Sequence, residues 1–525
     1  MILGSKANIK SLLKLVVLTL CATSFSQTAQ AAQNTQRTIN ICAGLHPYDM
    51  NPHTAFFTAE AELFTGLYEG LFSYDPATLE PVAALCTSHK VSRDKKRWTF
   101  VLRADAKFSD GTAITASHVK SSWLALLATP DAPFASLFDC VEGARDYRLG
   151  KAADSTVRID IRDEHTMVVH LEEPAGHFSK ILCHHAFSVV SEKPNVYSGA
   201  FTLESYDEGG ISLVKNNFYW DAKNVKTPAI RITLSDDYAE NSFRFNNGEL
   251  DWIQGNADLA KIIDKTKLQV GAEFGTMYLF FKERGSVWSK KEFREALLEA
   301  VPYDKLRENY NVKAETLIHQ LPGYPSVSGF SDYDPDDAIS LMQEARKKYG
   351  VAPEEKLPLV FATTAEESTK KWAEVLKTAW EPLGVDFQVQ TTPIDRYNAS
   401  IPAWQADLFH YSWIADFSDP LAFLELFRGD SSLNVANFKN EHFDELLKEG
   451  SSTEELYERY KTMARAEQLL LDECVIIPIS HPVSAHLIDL DTIGGWKVNS
   501  LDLHPLKYLY VKPDVPPDVP NLVRR

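Results

Sequence analysis

Long apolar runs are almost missing from this sequence. The single one, Leu12 to Leu20, lies near the N-terminus. A membrane-spanning helix needs about 20 predominantly apolar residues, so a polytopic membrane protein is excluded. Positive charge is also scarce: 54 Lys and Arg residues stand against 72 Asp and Glu residues, giving a formal net charge of −18. Such a chain repels phosphate backbones, and we therefore expect no nucleic-acid partner.

Cysteine is rare as well, with 6 among 525 residues and no CxxC spacing. Closed zinc sites need clustered Cys and His side chains, so we expect no metal centre and no cofactor. Five cysteines follow residue 31, an odd number, so one or two disulfides leave at least one thiol unpaired. The spacing does not show which cysteines pair.

Catalytic signatures are missing too: the sequence has no GxSxG, HExxH or Walker motif. His184 and His185 are adjacent, and neighbouring residues of a strand point to opposite faces, so we interpret them as structural histidines. We predict that the protein is not an enzyme. An extracellular hydrolase that uses unrecognised acids remains the alternative from another class.

The N-terminus has the features of a secretory signal. Lysines precede and enter the apolar run, and Ala29-Gln-Ala31 follows it, which predicts a signal peptide over residues 1–31. The protein is then exported to the periplasm. Cys21 leaves lipid anchoring open, although Leu20 is a poor neighbour for that modification. At the other end, residues 513–525 are rich in proline and predict an extended tail.

The length predicts about two to four domains, and the two halves of the chain differ. The first half is rich in short strands, and the second half contains a βαβ unit. The predicted strands of the first half cover residues 38–42, 98–103, 157–161, 166–171, 211–215 and 229–234. In the second half we predict strands over 357–362 and 385–391, and a helix that starts at Asp334-Pro335 and ends near Gly350.

One segment stands out as a candidate site, His410 to Pro420. It follows a strand predicted over 406–409, and ligands bind where such strands end in α/β lobes. Asp419 is suited to cap the helix predicted over 420–427. Asp416 is left without a structural role, which makes it the first candidate for a ligand contact.

Several phrases of the sequence occur in an order that resembles one family, the periplasmic oligopeptide-binding proteins of peptide ABC transporters, with their dipeptide- and nickel-binding relatives. Together they cover residues 38–512. The phrases are Met50 to His53, Leu67 to Phe72, Trp98 to Arg103, Ala106 to Ala116, Ser198 to Leu203, Asn217 to Asp221, Asn247 to Asp251, Trp413 to Pro420 and Val475 to Ile479.

The resemblance implies an α/β, bilobal periplasmic-binding-protein fold of three domains, with a hinge and a ligand cleft between the lobes. Domain I is expected to combine residues 32–68, 196–280 and 495–512. Domain II is expected over 69–195 and domain III over 281–494.

The resemblance also implies a function: capture of short peptides and delivery to a membrane-embedded ABC permease, by a protein that is usually a monomer. Peptides bind such proteins by adding a strand, so the main chain supplies affinity and the side chains enter roomy, hydrated pockets. A carrier of a metal chelate, haem or another non-peptide solute remains the alternative on the same fold. A signalling or chaperone-like role on this fold is not separable from import by sequence alone.

The resemblance further implies the ligand-binding residues. Asp416 matches the position that holds the α-amino group, because a buried ammonium needs a carboxylate partner. We expect Trp413, Tyr411 and Ser412 to border the ligand, and His410 stands where relatives carry an arginine for the ligand carboxylate. Further candidates are Tyr278 and Gln254 from domain I, and Phe56 and Thr58 beside Phe57, which predict an apolar wall.

Overall fold

The structure is a computed structural model that describes residues 37–319 and 321–513. The predicted signal peptide, Cys21 and the tail beyond residue 513 lie outside the described residues. Among the residues that are described, no helix combines the length and the apolar character that crossing a membrane requires.

The strands form three larger sheets and two small pairs. In chain order the strands are β1 Ile39–Ala43, β2 Phe72–Tyr74, β3 Pro81–Ala83, β4 Cys86–Val91, β5 Arg97–Leu102, β6 Ile159–Asp163, β7 Thr166–His170, β8 Phe201–Asp207, β9 Gly210–Lys215, β10 Ala229–Leu234, β11 Trp252–Gln254, β12 Leu268–Ala272, β13 Gly275–Phe281, β14 Leu357–Thr363, β15 Val385–Thr391, β16 Leu408–Ile414, β17 Ile476–Ser480, β18 Val483–Ile488, β19 Ile493–Gly494 and β20 Tyr510–Val511.

Among the described residues, the three longest α-helices lie in the second half of the chain. The α-helices cover Thr58–Leu67, Ala116–Ala128, Ala144–Arg148, Phe178–Ile181, Tyr238–Asn246, Lys291–Glu299, Tyr303–Leu306, Pro335–Tyr349, Glu367–Trp380, Ile394–Ser400, Leu421–Leu424, Glu441–Ser452 and Leu456–Asp472.

A seven-stranded sheet has the order β12-β18-β11-β1-β10-β9-β8. Its central strand β1 is parallel to both neighbours, and the other pairs are antiparallel. A four-stranded antiparallel sheet, β4-β5-β7-β6, lies between β1 and β8 in the sequence. The sheet-rich character predicted for the first half is therefore confirmed, although β12 and β18 complete the first sheet from later in the chain.

A five-stranded sheet of the second half has the order β15-β14-β16-β13-β17. Strands β14 and β15 are parallel over seven residue pairs and are joined by the helix Glu367–Trp380, which confirms the predicted βαβ unit. The helix Pro335–Tyr349 starts as predicted, because Asp334 accepts hydrogen bonds from the Asp336 and Asp337 amides. It ends at Gly350, which has a φ of 69°.

The apolar core is divided among the sheets. One cluster lies between the four-stranded sheet and the helices of residues 421–471, a second covers the five-stranded sheet with Trp288 and Trp380, and a third lies on the seven-stranded sheet around Trp252. Most sequence-predicted strands lie within two residues of the observed bounds. The one around residue 408 differs, because it continues to Ile414 where a loop was expected.

The three-domain division stays a prediction. The sheets place β18 with strands expected in domain I, although its residues were expected in domain III. The described cysteines form no disulfide. All five are free thiols, namely Cys42, Cys86, Cys140, Cys183 and Cys474. Four of them are buried, and burial raises the pKa of the Cys42 thiol to about 11, so these thiols are unreactive packing residues.

Candidate functional site

A cavity of about 430 Å³ lies where three parts of the chain meet. One side is the strand β16 with the start of the helix Glu367–Trp380. The second side brings Tyr74, Phe134 and His184 from the region of the four-stranded sheet, and the third is the segment around Phe56 together with Leu501 and Leu503. Its size and mixture of aromatic and polar side chains are typical of small-ligand sites.

One edge of β16 is free along this cavity. On its other edge β16 pairs with β13 over seven residues, from Gly275 with Ile414 to Phe281 with Leu408. On the cavity side it pairs with β14 only at Leu408 and Phe409. Within the described chain, no strand pairs with this edge beyond Phe409.

The main-chain groups on this edge belong to alternate residues. The Ala415 amide donates to the Phe274 carbonyl at 2.9 Å, so the odd-numbered residues of β16 direct their main-chain groups toward β13. His410, Ser412 and Ile414 therefore direct theirs toward the cavity. An additional strand could pair there, because donors and acceptors already stand at strand spacing.

Tyr397 keeps β14 and β16 apart at the start of this edge. Its hydroxyl accepts from the His410 amide at 3.0 Å and lies 2.9 Å from the Ala362 carbonyl and 3.0 Å from the His410 carbonyl. The ring also stacks on the His410 imidazole, with centroids 4.3 Å apart. The phenol thus replaces a main-chain partner and opens a slot between two parallel strands.

We predict that Tyr397→Phe lowers the free energy of unfolding by about 1–2 kcal/mol, because the His410 amide loses its buried partner. Chemical denaturation followed by circular dichroism measures the change. Tyr457→Phe is the matched control, since the Tyr457 ring is 54% exposed. Equal stability of the two variants would contradict the bridging role of the hydroxyl.

Asp416 lies at the far end of the free edge and lacks a charge partner. The Tyr74 hydroxyl donates to its main-chain carbonyl at 3.1 Å, while the carboxylate oxygen Oδ2 is buried without a hydrogen-bond partner among the described residues. Oδ1 lies 3.5 Å from His184 Nε2, too far for a good hydrogen bond. Burial raises the pKa of Asp416 well above its usual value.

The imidazoles of the cavity are neutral. Burial lowers the pKa of His184 to about 3 and that of His410 to about 4, and it lowers the pKa of His185 well below the ordinary value. None of them can neutralise Asp416 or a ligand carboxylate at pH 7. The described protein residues therefore supply no cation to the Asp416 carboxyl group.

Phe56 and Phe57 form an apolar wall beside Trp413 and Phe134. The Phe56 ring stacks on Phe134 and lies 5.8 Å from the Trp413 ring. Glu60 holds this segment, accepting from the Phe56 and Phe57 amides at 2.7 and 3.0 Å. Burial alone would raise the pKa of Glu60, but the hydrogen bond with His46 at 3.1 Å, together with the main-chain amides, outweighs it, and the pKa lies below its usual value.

Seven of the nine predicted site residues line this one cavity, and two do not. The lining residues among them are Phe56, Thr58, His410, Tyr411, Ser412, Trp413 and Asp416. Tyr278 lies on β13, behind Tyr411 and away from the free edge, with its side chain in the core. Gln254 pairs with His486 in the seven-stranded sheet. These two residues therefore do not line the cavity.

Several lining residues were missed by sequence reasoning. His184 and His185 were interpreted as structural on the basis of a strand, but they stand at the start of a 3-10 turn and both line the cavity. Tyr397, Thr364 and Phe134 carry no motif. Only the tertiary fold brings them to β16, so the sequence offered no signal for them.

A cluster of ion pairs around Arg428 joins two distant segments of the chain. Arg428 contacts Glu425 at 2.8 Å and Asp139 at 2.8 Å, and Asp139 also contacts Arg148 at 2.6 Å. Arg145 and Arg428 both pair with Asp430. This Arg428 cluster, with Ser136 bound to Glu425 at 3.1 Å, ties residues 136–148 to residues 425–432.

One group elsewhere has the composition of a metal site, namely His486, Asp502 and His504. Trp252 Nε1 donates to His486 Nδ1 at 3.1 Å, and His486 Nε2 lies 2.8 Å from Asp502 Oδ1. A neutral imidazole has a single lone pair, and Trp252 already uses it. His486 therefore donates to Asp502 in a structural network, and its ring has no lone pair left for a metal ion.

Comparison with known proteins gives a consistent result. The family model of the bacterial extracellular solute-binding proteins, family 5, middle region, matches residues 80–434. The dipeptide-binding protein DppE of Bacillus subtilis is 25% identical, with 89% of each chain covered. The periplasmic oligopeptide-binding protein OppA of Salmonella typhimurium is 26% identical, with 96% of this chain and 98% of the relative covered.

Solved structures with a similar fold include oligopeptide-binding proteins. The crystal structure of Haemophilus influenzae OppA in complex with RPPGFSPFR superposes with a TM-score of 0.79 at 22% identity, covering 91% of this chain and 99% of that one. This likeness confirms the predicted bilobal α/β fold. Since the family model spans more than half of the residues, the chain belongs to family 5 of the bacterial extracellular solute-binding proteins.

Proposed function

We propose that this protein is an exported receptor that captures short peptides in the cavity beside β16 and delivers them to an ABC import permease. The observation that carries the proposal is a free strand edge that ends at an unpartnered carboxylate, Asp416. The names of the relatives, dipeptide-binding and oligopeptide-binding proteins, favour a peptide over a metal chelate or haem.

The free edge supports binding by strand addition. A peptide that pairs with Ser412 and Ile414 gains main-chain hydrogen bonds whose strength does not depend on its side chains. The apolar wall of Phe56 and Phe57, with Phe134 and Trp413 beside it, offers contact area to side chains of many shapes. Specificity for the main chain and tolerance for the side chains follow.

Asp416 supports recognition of the free N-terminus. A peptide ammonium beside Oδ2 would supply the cation that the described cavity residues lack, and it would return the carboxyl group to its charged form. Trp413 helps to fix this end of the strand, because its indole nitrogen donates to the Ala422 carbonyl at 2.9 Å.

Closure of the two lobes is proposed to follow the ligand. A closed state is favoured when both sides touch the same molecule, so the ligand shifts a population that exists without it. The Arg428 cluster joins residues expected in domain II to residues expected in domain III, and it adds ion pairs to the closed state. Separate movement of these domains is part of the proposal.

The remaining parts of the proposal concern location and partners. Export by the signal peptide over residues 1–31, with or without lipid on Cys21, agrees with an extracellular family. We propose that the protein acts as a monomer, that it carries its ligand without converting it, and that its closed surface docks on a membrane permease.

Native mass spectrometry of the purified mature protein, followed by analysis of the released molecules, tests the proposal. We expect a spread of bound masses that are short peptides. A single bound non-peptide mass would contradict the proposal and indicate a specialised carrier. If the purified protein carries no ligand, it is titrated with mixed di- to pentapeptides. Free amino acids and sugars serve as controls.

We predict that peptide affinity falls as the pH falls. Burial raises the pKa of Asp416 in the free protein, and the ligand ammonium lowers it in the complex, so binding releases a proton below the free-state pKa. The titratable groups facing Asp416, which are His184, Tyr74 and Tyr411, stay neutral because burial disfavours their charged forms.

Calorimetry in two buffers of different ionisation enthalpy measures the released proton. Affinity should drop by up to about tenfold per pH unit on the acidic side and weaken again above pH 8, where the α-amino group loses its proton. The proton release should vanish in Asp416→Asn. Binding without proton release between pH 5 and 7 would contradict the raised pKa of Asp416 in the free protein.

A further inference from the structure

The cavity offers no cation for the second charge of a peptide, its carboxylate. Among the described residues that line it, none is Lys or Arg, and the carboxylates are Asp416 and Glu366. His410, at the position predicted to face the ligand carboxylate, is neutral, and its Nδ1 is occupied by the Thr363 hydroxyl at 3.0 Å. Neutral hydrogen-bond donors are therefore the only groups that could hold the carboxylate there.

One place in the cavity collects such donors. Strand β14 ends at Thr363, and after three intervening residues the helix Glu367–Trp380 begins with its first turn on the cavity. The first amides of a helix have no intrahelical partner, and the helix dipole attracts negative charge there. The N-cap residue, Glu366, makes no side-chain hydrogen bond to these amides.

Thr364 supplies a second and independent observation. It lines the cavity, its side chain is 1% exposed, and its hydroxyl has no hydrogen-bond partner among the described residues. A buried hydroxyl without a partner loses its hydrogen bond to water and gains none in return, so it indicates a ligand atom. Thr364 stands directly before the turn that leads into the helix.

We infer that the Thr364 hydroxyl and the first-turn amides of the helix Glu367–Trp380 form the subsite for the carboxylate of the bound peptide. The inference rests on the proposed peptide-binding function and extends it, because it assigns the opposite end of the ligand. Hydrogen bonds from neutral donors to a carboxylate are among the stronger ones in proteins.

The subsite also sets the direction and length of the ligand. Extending the parallel pairing of Ala362 with Phe409 places Thr364 level with Tyr411, five residues before Asp416. Five residues of strand span about 16 Å, and an extended tripeptide spans about 10 Å. About 3 Å remains at each end, which is the length of one hydrogen bond. The peptide therefore runs antiparallel to β16 and contains three residues.

Glu366 limits the strength of this subsite. Its exposed carboxylate lies on the cavity near the helix start, where it repels a ligand carboxylate. Water and salt screen exposed charges, so the repulsion weakens the subsite without abolishing it. Glu366→Gln should accordingly raise the affinity for a free-acid tripeptide about twofold to threefold, while Glu374→Gln, farther along the same helix and exposed, leaves it unchanged.

Calorimetry with Ala-Phe-Ala as the free acid and as the C-terminal amide tests the subsite. The wild-type protein should bind the free acid about tenfold more tightly than the amide. Thr364→Val should lower the free-acid affinity about tenfold and the amide affinity less than threefold, and Thr364→Ser should retain both. The melting temperature of Thr364→Val should not fall, because the lost hydroxyl has no protein partner.

An amide that binds as tightly as the acid, or an unchanged free-acid affinity in Thr364→Val, would overturn the subsite. N-acetyl-Ala-Phe-Ala separates this failure from failure of the proposed function. Binding that is lost on acetylation but insensitive to amidation would overturn the carboxylate subsite alone. Absence of binding by all three peptides would overturn the peptide-binding function together with it.

Discussion

Asp416→Asn is expected to lower the affinity for peptides with a free α-amino group about 100-fold. The Asp416 carboxylate has a buried oxygen without a partner and lies where the free edge of β16 ends. Removing one member of a buried charge pair in an interface costs about 2–5 kcal/mol, and a factor of 100 corresponds to about 2.7 kcal/mol. Binding titrations with one peptide sequence measure the change.

Comparison of acetylated and free peptides makes this test specific. N-acetylated peptides carry no ammonium, so their affinity should be low in the wild-type protein and should change less than threefold in Asp416→Asn. Asp386→Asn is the control, because Asp386 is exposed on β15 and does not line the cavity. Equal losses for free and acetylated peptides would show that Asp416 acts on the fold and not on the ammonium.

Arg428→Met is expected to weaken the binding of every peptide about tenfold or more, whatever its termini. The Arg428 guanidinium contacts Glu425, Asp139 and Asp430. Its removal leaves the buried Glu425 carboxylate without a cation, while Asp139 keeps Arg148 and Asp430 keeps Arg145. Breaking a buried ion pair on one side costs about 3–5 kcal/mol, since the partner stays buried without compensation. We expect the substitution to destabilise the closed state more than the open state.

Small-angle X-ray scattering with and without peptide separates closure from direct contact. Arg428→Met should have a larger radius of gyration than the wild-type protein and should need more peptide to reach the compact form. Arg465→Met is the control, because Arg465 is exposed and its ion pair with Glu449 is 3.9 Å long. An unchanged peptide affinity and radius of gyration in Arg428→Met would show that the Arg428 cluster does not contribute to closure.

Local sequence signals were sufficient for much of the fold. Alternating residues identified Val385–Thr391 at its observed bounds, and Asp334 with Pro335 marked the start of a helix. These features depend on neighbours in the chain. Asp419 was expected to cap the following helix, but Pro420 is the N-cap of Leu421–Leu424, and Asp419 accepts from the Leu421 amide at 3.0 Å and from Arg459 at 2.6 Å.

The parts that were missed depend on tertiary pairing. The segment after residue 409 was expected to be a loop, but β13 pairs with it and extends the strand to Ile414. Tyr278, expected beside the ligand, lies on that same neighbouring strand with its side chain in the core, and it does not line the cavity. No local pattern distinguishes the free edge of a strand from the paired one, so Tyr397 and Thr364 could not be identified.

A crystal structure of the protein with a bound tripeptide tests the central claim most directly. We predict that the peptide pairs with the main chain of Ser412 and Ile414, with its ammonium within about 3 Å of Asp416 Oδ2. The two chains should run antiparallel. A peptide bound away from the free edge of β16, or an ammonium that does not contact Asp416, would contradict the account.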